Sequence, residues 1–415
     1  MEKFIIEGGH TLTGTINISG AKNSAVALIP AAVLCDEEVK ISNIPNISDI
    51  DALIEILIYL GAEVKKEKDS LTINSRNIKN KEIPENISKK LRASYYFMGV
   101  LLGKYSKVDM FFPGGCNIGS RPINLHLNSF KTLGAQVNEK NNQYSISADQ
   151  LIGTTIYLDI ASVGATINTI FAAVKAKGMT IIENAAKEPE IVNVVTFLNN
   201  MGAKITGAGT SEIRIVGVDY LHKCYTEVIP DRIEAGTYLI AAAMIGKNVR
   251  LQNVIPEHLE ALVLKLKEAG VKIFTGEDYY LVSTSENLKP INIKTMVFPG
   301  FATDLQQPIS SFLTQCEGKS LIEETIYENR FQNLEYLKQM GADIKIKDRK
   351  AYIKGKTELV GMEVEATDLR AGACLILAAL IAKGTTTIKN IEHILRGYEN
   401  IKEKLEILGA KITIE

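Results

Sequence analysis

The chain has 415 residues, more than one hydrophobic core usually holds, so two domains of about 200 residues each are expected. Hydrophobic residues make up 46% of it, and 47 basic residues face 48 acidic ones with no long basic run, which excludes a sequence-independent grip on nucleic acid. The longest apolar runs, 238–245 and 374–382, are too short to cross a bilayer, and the opening Met1-Glu2-Lys3-Phe4-Ile5-Ile6-Glu7 lacks the apolar stretch of a signal peptide, so a soluble cytoplasmic protein with no membrane partner is expected.

The first predicted helix covers 22–35 and opens on Lys22 and Asn23. An amphipathic run carrying Ile54, Leu57, Ile58 and Leu60 then stops at Gly61 and gives way to alternating residues, the pattern of a helix followed by a strand. The next helix, 92–103, begins at Arg92. After it comes Pro113-Gly114-Gly115-Cys116-Asn117-Ile118-Gly119-Ser120-Arg121-Pro122, a stretch too glycine-rich for a core strand. It reads either as a presented thiol, with the Arg121 cation nearby to favour thiolate chemistry, or as a surface loop in which a cysteine happens to sit. Further helices are expected over 162–177, 232–246, 304–317 and 368–383. The five cysteines, at 35, 116, 224, 316 and 374, have no paired or CxxC spacing. That suggests neither a disulfide framework nor a zinc site. Cys35, Cys316 and Cys374 lie in apolar, helix-like stretches where a buried structural role is expected.

One helix end recurs six times. Gly61, Gly134, Gly202, Gly270, Gly341 and Gly409 each close an amphipathic run and precede a strand, at separations of 73, 68, 68, 71 and 68 residues. A repeat of about 70 residues with two helices and several short strands is longer than common solenoid units. Six copies divide into two similar α/β domains of three, with the chain crossing between them near 221–231; a single elongated solenoid is the alternative. The second-helix starts occupy matching places in successive units: Lys22 with Asn23, Arg92, Ser162 with Gly164, Asp231 with Arg232, Thr303 with Asp304, and Asp368 with Arg370. Each helix N-terminus carries about half a positive charge and free N–H donors. Together with Arg121 and Arg396 they suggest a site for phosphate or carboxylate. Taken singly, Asp231 and Arg232 read as a cap and a surface charge, and an ion pair between Asp368 and Arg370 stays open.

Several segments carry a resemblance along essentially the whole chain: Ile18-Ser19-Gly20-Ala21-Lys22-Asn23-Ser24, Leu91-Arg92-Ala93-Ser94, the Cys116 stretch through His126, Ala161-Ser162-Val163-Gly164-Ala165-Thr166, Glu183–Glu190, Pro230-Asp231-Arg232-Ile233-Glu234, Phe301-Ala302-Thr303-Asp304-Leu305-Gln306, Ala366-Thr367-Asp368-Leu369-Arg370-Ala371 and Arg396-Gly397-Tyr398-Glu399. In order and spacing the chain resembles the UDP-N-acetylglucosamine 1-carboxyvinyltransferases, enolpyruvyl transferases of peptidoglycan precursor synthesis. The resemblance implies two inside-out α/β domains, residues 22–229 and residues 1–21 with 230–415. It implies transfer of the enolpyruvyl group of phosphoenolpyruvate to the 3′-hydroxyl of UDP-N-acetylglucosamine with release of phosphate, and calls for no cofactor or metal. Carried over by motif, Cys116 would protonate the methylene carbon and Asp304 would accept or align the hydroxyl proton. Lys22, Arg92, Arg121, Arg370 and Arg396 would hold phosphoenolpyruvate, with Lys22 and Arg396 also counted among the catalytic groups. Asn23, Arg92, Arg121, Pro122, Ile123, Asn124, Leu125, Ser162, Val163, Gly164, Asp304 and Ile326 would contact the sugar nucleotide. His126 reads as an orienting or structural residue.

Ile160, Asn124, Ala302 and Leu395 stand where many members have lysine, aspartate, proline and aspartate. The Ile160-Ala161-Ser162 and Phe301-Ala302-Thr303 versions look like the second paralogue of low-GC Gram-positive bacteria. Two other readings remain: the sister transferase acting on shikimate 3-phosphate, and a non-catalytic sugar-nucleotide sensor.

Overall fold

The computed structural model describes residues 2–114 and 123–415; Cys116, Arg121 and Pro122 lie outside the described residues. The chain divides into two compact units. One is built from the described residues of 20–229, the other from residues 2–19 together with Pro230–Glu415. The N-terminal segment joins the second unit by strand pairing. Strand Phe4–Glu7 lies antiparallel between Thr385–Lys389 and Lys411–Ile414, with Phe4 opposite both Ile388 and Ile414. Leu12–Asn17 runs parallel to Gly246–Gln252. Phe4, Ile6, Leu12 and Ile16 drive this pairing, since all four side chains are buried in it.

Among the described residues each unit carries three sheets. In the first, Tyr225–Glu227, Glu38–Ser42, Ser70–Asn74 and Glu63–Lys66 form one, Lys204–Thr206, Glu212–Val216, Met179–Glu183 and Thr155–Tyr157 a second, and Lys107–Phe111, Gln143–Ser147 and Gln136–Lys140 a three-stranded third. In the second unit all three are four-stranded. Five of the six sheets close with a parallel edge strand; the three-stranded one has only a parallel bridge, Ile83 to Met110, in its place. Strands such as Glu212–Val216 alternate exposed and buried residues, so each sheet turns one face outward.

The helices they cover are buried nearly all round. In the first unit these are α1 (Lys22–Ala31), α2 (Tyr96–Tyr105) and α3 (Val163–Ala173); in the second, α4 (Arg232–Ile245), α5 (Gln306–Leu313) and α6 (Leu369–Ile381). Within the second unit α4, α5 and α6 pack on one another, and within the first α2 packs on α1 and α3. Glycine sets the closest of these approaches. A Cβ on Gly99 of α2 would sit 2.4 Å from Asn168 Oδ1 of α3. Helices inside and sheets outside give each unit the inside-out arrangement.

The six repeated glycines all occupy the left-handed region, at φ values of 108°, 99°, 100°, 96°, 113° and 97° in chain order. After each, the next backbone N–H bonds back to the carbonyl five residues earlier: Ala62 to Leu57, Ala135 to Phe130, Ala203 to Leu198, Val271 to Leu266, Ala342 to Leu337 and Ala410 to Leu405. That six-to-one closure satisfies a helix-end carbonyl, and glycine enters its conformation cheaply. Helix bounds differ from the sequence expectation. Residues Arg92–Tyr95 and Thr303–Leu305 are 3₁₀ turns that precede their helices, and α1 stops at Ala31 before the short turn Ala32–Leu34. Cys35 therefore caps a 3₁₀ turn and Cys316 lies past the end of α5; both are buried, as is Cys374 inside α6. Among the described residues no helix is long and apolar enough to cross a membrane.

Candidate active site

In the second unit the structure gathers Asp304, Arg370 and Arg330. Asp304 sits in the 3₁₀ turn that feeds α5, and Arg370 is the second residue of α6. Arg330 Nη2 donates to Asp304 Oδ1 at 2.7 Å and Arg370 Nη2 to Oδ2 at 3.1 Å. Each carboxylate oxygen thus holds one guanidinium. The arginine side chains are 3% and 5% exposed, whereas that of Asp304 is 27% exposed, so the acid is the member that reaches solvent. Burial alone would raise the Asp304 pKa. The Arg370 and Arg330 cations outweigh it and hold the carboxyl well below the usual range. Nη1 of Arg370 is buried without a hydrogen-bond partner among the described residues.

The neighbours of this cluster fix its parts. Asp368 caps α6, its Oδ1 accepting from Arg370 N at 2.8 Å and Ala371 N at 3.0 Å, and its Oδ2 accepts from Gln307 Nε2 at 3.3 Å. The open question of an Asp368–Arg370 pair thus resolves into a cap, while the guanidinium turns to Asp304. Asp231 likewise caps α4, through Ile233 N and Glu234 N. Ile326 is half-buried in a turn after strand Gly318–Glu323, and Arg396 is half-buried at the end of the short helix Glu392–Leu395. The sequence expectation did not include Arg330 or Glu324, which bonds to Thr303 beside the aspartate.

In the first unit Lys22 opens α1, and its Nζ lies 2.8 Å from Asp49 Oδ2, with both side chains largely buried. Asn23 is half-buried beside it. Arg92 spreads its guanidinium over the rings of Phe112 at 5.4 Å and Tyr95 at 5.9 Å. Ser162 caps α3, its Oγ accepting from Ala165 N at 3.3 Å. Val163 and Gly164 follow, and only a residue without Cβ fits at 164, where that atom would lie 2.7 Å from Tyr95 Oη and 3.1 Å from His126 Cε1. Ile123 is buried and leads into the helix Asn124–Thr132, on which Asn124 is exposed and Leu125 half-buried.

His126 is locked into the same unit. Asn168 Nδ2 lies 2.8 Å from its Nδ1 and donates also to Tyr95 O, while Asn168 Oδ1 accepts from Gly99 N. Burial, followed by the Arg92 cation, pulls the imidazole down to about 3, so it is neutral at physiological pH and supports rather than protonates. A histidine that charges near 6.5 when unfolded but stays neutral when folded makes the folded state bind fewer protons below 6.5. Stability from this site is therefore complete above that pH and falls with acidity toward 3. Between pH 7 and 4.5 urea titration should show a loss of about 2 to 3 kcal/mol from this group. The loss should vanish in His126→Asn, whose Oδ1 can replace Nδ1 as acceptor.

Comparison with known proteins decides the family. Residues 6–405 match the family model for EPSP synthase (3-phosphoshikimate 1-carboxyvinyltransferase). The chain is 52% identical over 416 residues to UDP-N-acetylglucosamine 1-carboxyvinyltransferase 2 of Bacillus subtilis, covering 100% of this chain and 97% of that one. It is 51% identical over 412 residues to the protein of the same name from Listeria monocytogenes, with 99% and 97% covered. The chain belongs to the UDP-N-acetylglucosamine 1-carboxyvinyltransferase family. Solved members of the wider enolpyruvyl transferase group share its fold: the enolpyruvyl transferase NikO from Streptomyces tendae superposes with a TM-score of 0.90 at 26% identity, covering 100% of this chain and 98% of that one. An EPSP synthase from Acinetobacter baumannii reaches 0.77 at 18%, with both chains fully covered. The similarity to paralogues numbered 2 agrees with the Ile160-Ala161-Ser162 and Phe301-Ala302-Thr303 variants read from the sequence.

Proposed function

We propose that the protein transfers the enolpyruvyl group of phosphoenolpyruvate to the 3′-hydroxyl of UDP-N-acetylglucosamine, releasing phosphate, as the first committed step of peptidoglycan precursor synthesis in the cytoplasm. The observation that carries this reading is full-length identity above half to relatives named for that reaction. The Asp304 cluster supports it with chemistry of the right kind.

In this reading the Cys116 thiol gives its proton to the methylene carbon of phosphoenolpyruvate, leaving a cationic carbon at C2. The sugar hydroxyl attacks that carbon and sheds its proton. Loss of a proton from the new methyl group and of phosphate from C2 then leaves the enol ether. Asp304, held strongly ionised, is a weak base toward a free alcohol. It is well suited to align the hydroxyl, and it can take the proton once bonding to the cationic carbon makes that oxygen acidic. Lys22, Arg92, Arg121, Arg370 and Arg396 hold phosphate and carboxylate, each charge-assisted contact contributing about 1.5 to 3 kcal/mol. Asn23, residues 121–125, Ser162, Val163, Gly164 and Ile326 receive the sugar nucleotide.

Phosphate release tests the reading directly. Release from phosphoenolpyruvate should require UDP-N-acetylglucosamine and not shikimate 3-phosphate. Release with shikimate 3-phosphate instead would assign the sister reaction, and binding of the sugar nucleotide without release under any condition would favour the sensor.

A further inference from the structure

One repeat departs from a pattern that four of the others keep. In four repeats an asparagine with positive φ follows the strand that leaves the second helix: Asn43, Asn184, Asn253 and Asn390. Three of these donate Nδ2 to the carbonyl just past the parallel edge strand, Asn43 to Val228 at 2.8 Å, Asn184 to Leu158 at 2.7 Å and Asn253 to Ile18 at 2.7 Å. The matching pair in the fifth repeat is Glu324 and Thr295, since Thr295 N bonds to Glu323 O as Val228 N does to Ser42 O, Leu158 N to Glu183 O and Ile18 N to Gln252 O. Here Thr325 Oγ1 takes over the carbonyl, at 2.5 Å from Thr295 O. The structural bond has moved one residue along, and position 324 is released to carry a carboxylate.

That carboxylate is 1% exposed and accepts four hydrogen bonds. Oε1 takes Thr295 Oγ1 at 2.9 Å, Ile326 N at 2.8 Å and Tyr327 N at 3.1 Å, while Oε2 takes Thr303 Oγ1 at 2.9 Å. Arg330 Nη1 approaches the same Thr303 oxygen at 2.7 Å. A guanidinium can only donate, so the single hydroxyl proton of Thr303 is committed to Glu324 and one of its two lone pairs accepts from Arg330. The other nitrogen of that guanidinium holds Asp304. A polar chain of fixed sense therefore runs from Glu324 through Thr303 and Arg330 to Asp304. Burying a carboxylate is costly, and a plain repeat would use asparagine here, so the charge has been kept for what it orients. We propose that Glu324, acting through the Thr303 hydroxyl, is a positioning residue that sets Arg330 on Asp304 and couples the acceptor-aligning carboxylate to the Ile326–Tyr327 turn. The assignment of that turn to the sugar nucleotide, and of Asp304 to its hydroxyl, rests on the functional reading above.

The test compares Thr303→Val, Thr303→Ser and Glu324→Gln with the unaltered protein. Valine keeps the shape of threonine and removes the relay. It should lower kcat roughly 10- to 100-fold with UDP-N-acetylglucosamine, leave KM for phosphoenolpyruvate within about threefold, and open the Arg330–Asp304 contact in a crystal structure. Serine should restore both. Glutamine at 324 would place a second donor on the Thr303 oxygen and should reproduce the valine defect, which keeps the test open if one variant fails to fold. Wild-type kcat in Thr303→Val, or equal losses for valine and serine, would overturn the proposal, as would an Arg330–Asp304 contact unchanged in both Thr303→Val and Glu324→Gln. If the unaltered protein transfers nothing to UDP-N-acetylglucosamine, the functional reading falls, and the crystallographic contact alone decides whether Glu324 positions Arg330.

Discussion

Asp304→Asn should lower kcat by about two to four orders of magnitude, the usual range for loss of a positioned acid or base, and should destabilise the second unit as well. The substitution is nearly isosteric, so its damage comes from hydrogen-bond polarity. Both carboxylate oxygens accept from guanidiniums, Arg330 on one side and Arg370 on the other. An amide offers one acceptor and one donor. Whichever way it is turned, its NH₂ faces an arginine, and a buried cation loses its carboxylate contact with residue 304. Breaking a buried ion pair from one side costs about 3 to 5 kcal/mol. The chain has no tryptophan, so far-UV circular dichroism in urea is the convenient readout, alongside phosphate release. Near-normal turnover in the asparagine variant would remove Asp304 from the reaction. Normal stability with lost turnover would show that the arginines find other partners.

The contrast between helix ends and helix-end chemistry shows what a sequence can reveal. Gly61 and its five counterparts were legible because the left-handed residue after a helix has a near-unique local solution, and each glycine sits there. Asp231 was legible as a cap for the same local reason. Helix starts were less so: Arg92 and Thr303 look like the first residues of apolar helices but open 3₁₀ turns, because periodicity does not distinguish a tight first turn from a regular one. Asp304 and Arg370 were both visible as charged residues at matching helix starts. Their contact was not, since it depends on how α5 and α6 pack 66 residues apart. Arg330 had no periodic signal at all, lying outside the regular elements just before the helix Gln332–Gln339. Glu324 carries a signal of a different kind, in the comparison between repeats. Aligning the ends of the outgoing strands, Asn43, Asn184, Asn253 and Asn390 against Glu324, exposes the one acidic departure.

Cys116→Ala should lower phosphate release by at least two to four orders of magnitude, and Cys116→Asp should retain part of it. Making a cationic carbon from an enol phosphate needs a proton on the methylene, and no neutral alanine can give one. A carboxylic acid can, which separates the acid role from any need for sulfur. The four other cysteines cannot stand in. Burial pushes the Cys224 and Cys374 thiols up to about 11 and the Cys316 thiol up to about 12, and it also raises Cys35. Thiols so raised carry almost no thiolate at neutral pH and react slowly. Brief treatment with iodoacetamide at pH 7.5 (about one unit below a free cysteine) should therefore attach a single carbamidomethyl group to the unaltered protein and none to either variant. Phosphate release should fall in step with that labelling. Full turnover in the alanine variant, or labelling spread over several cysteines while activity persists, would take the proton-donor role away from Cys116 and leave the anion-binding groups to explain the reaction without it.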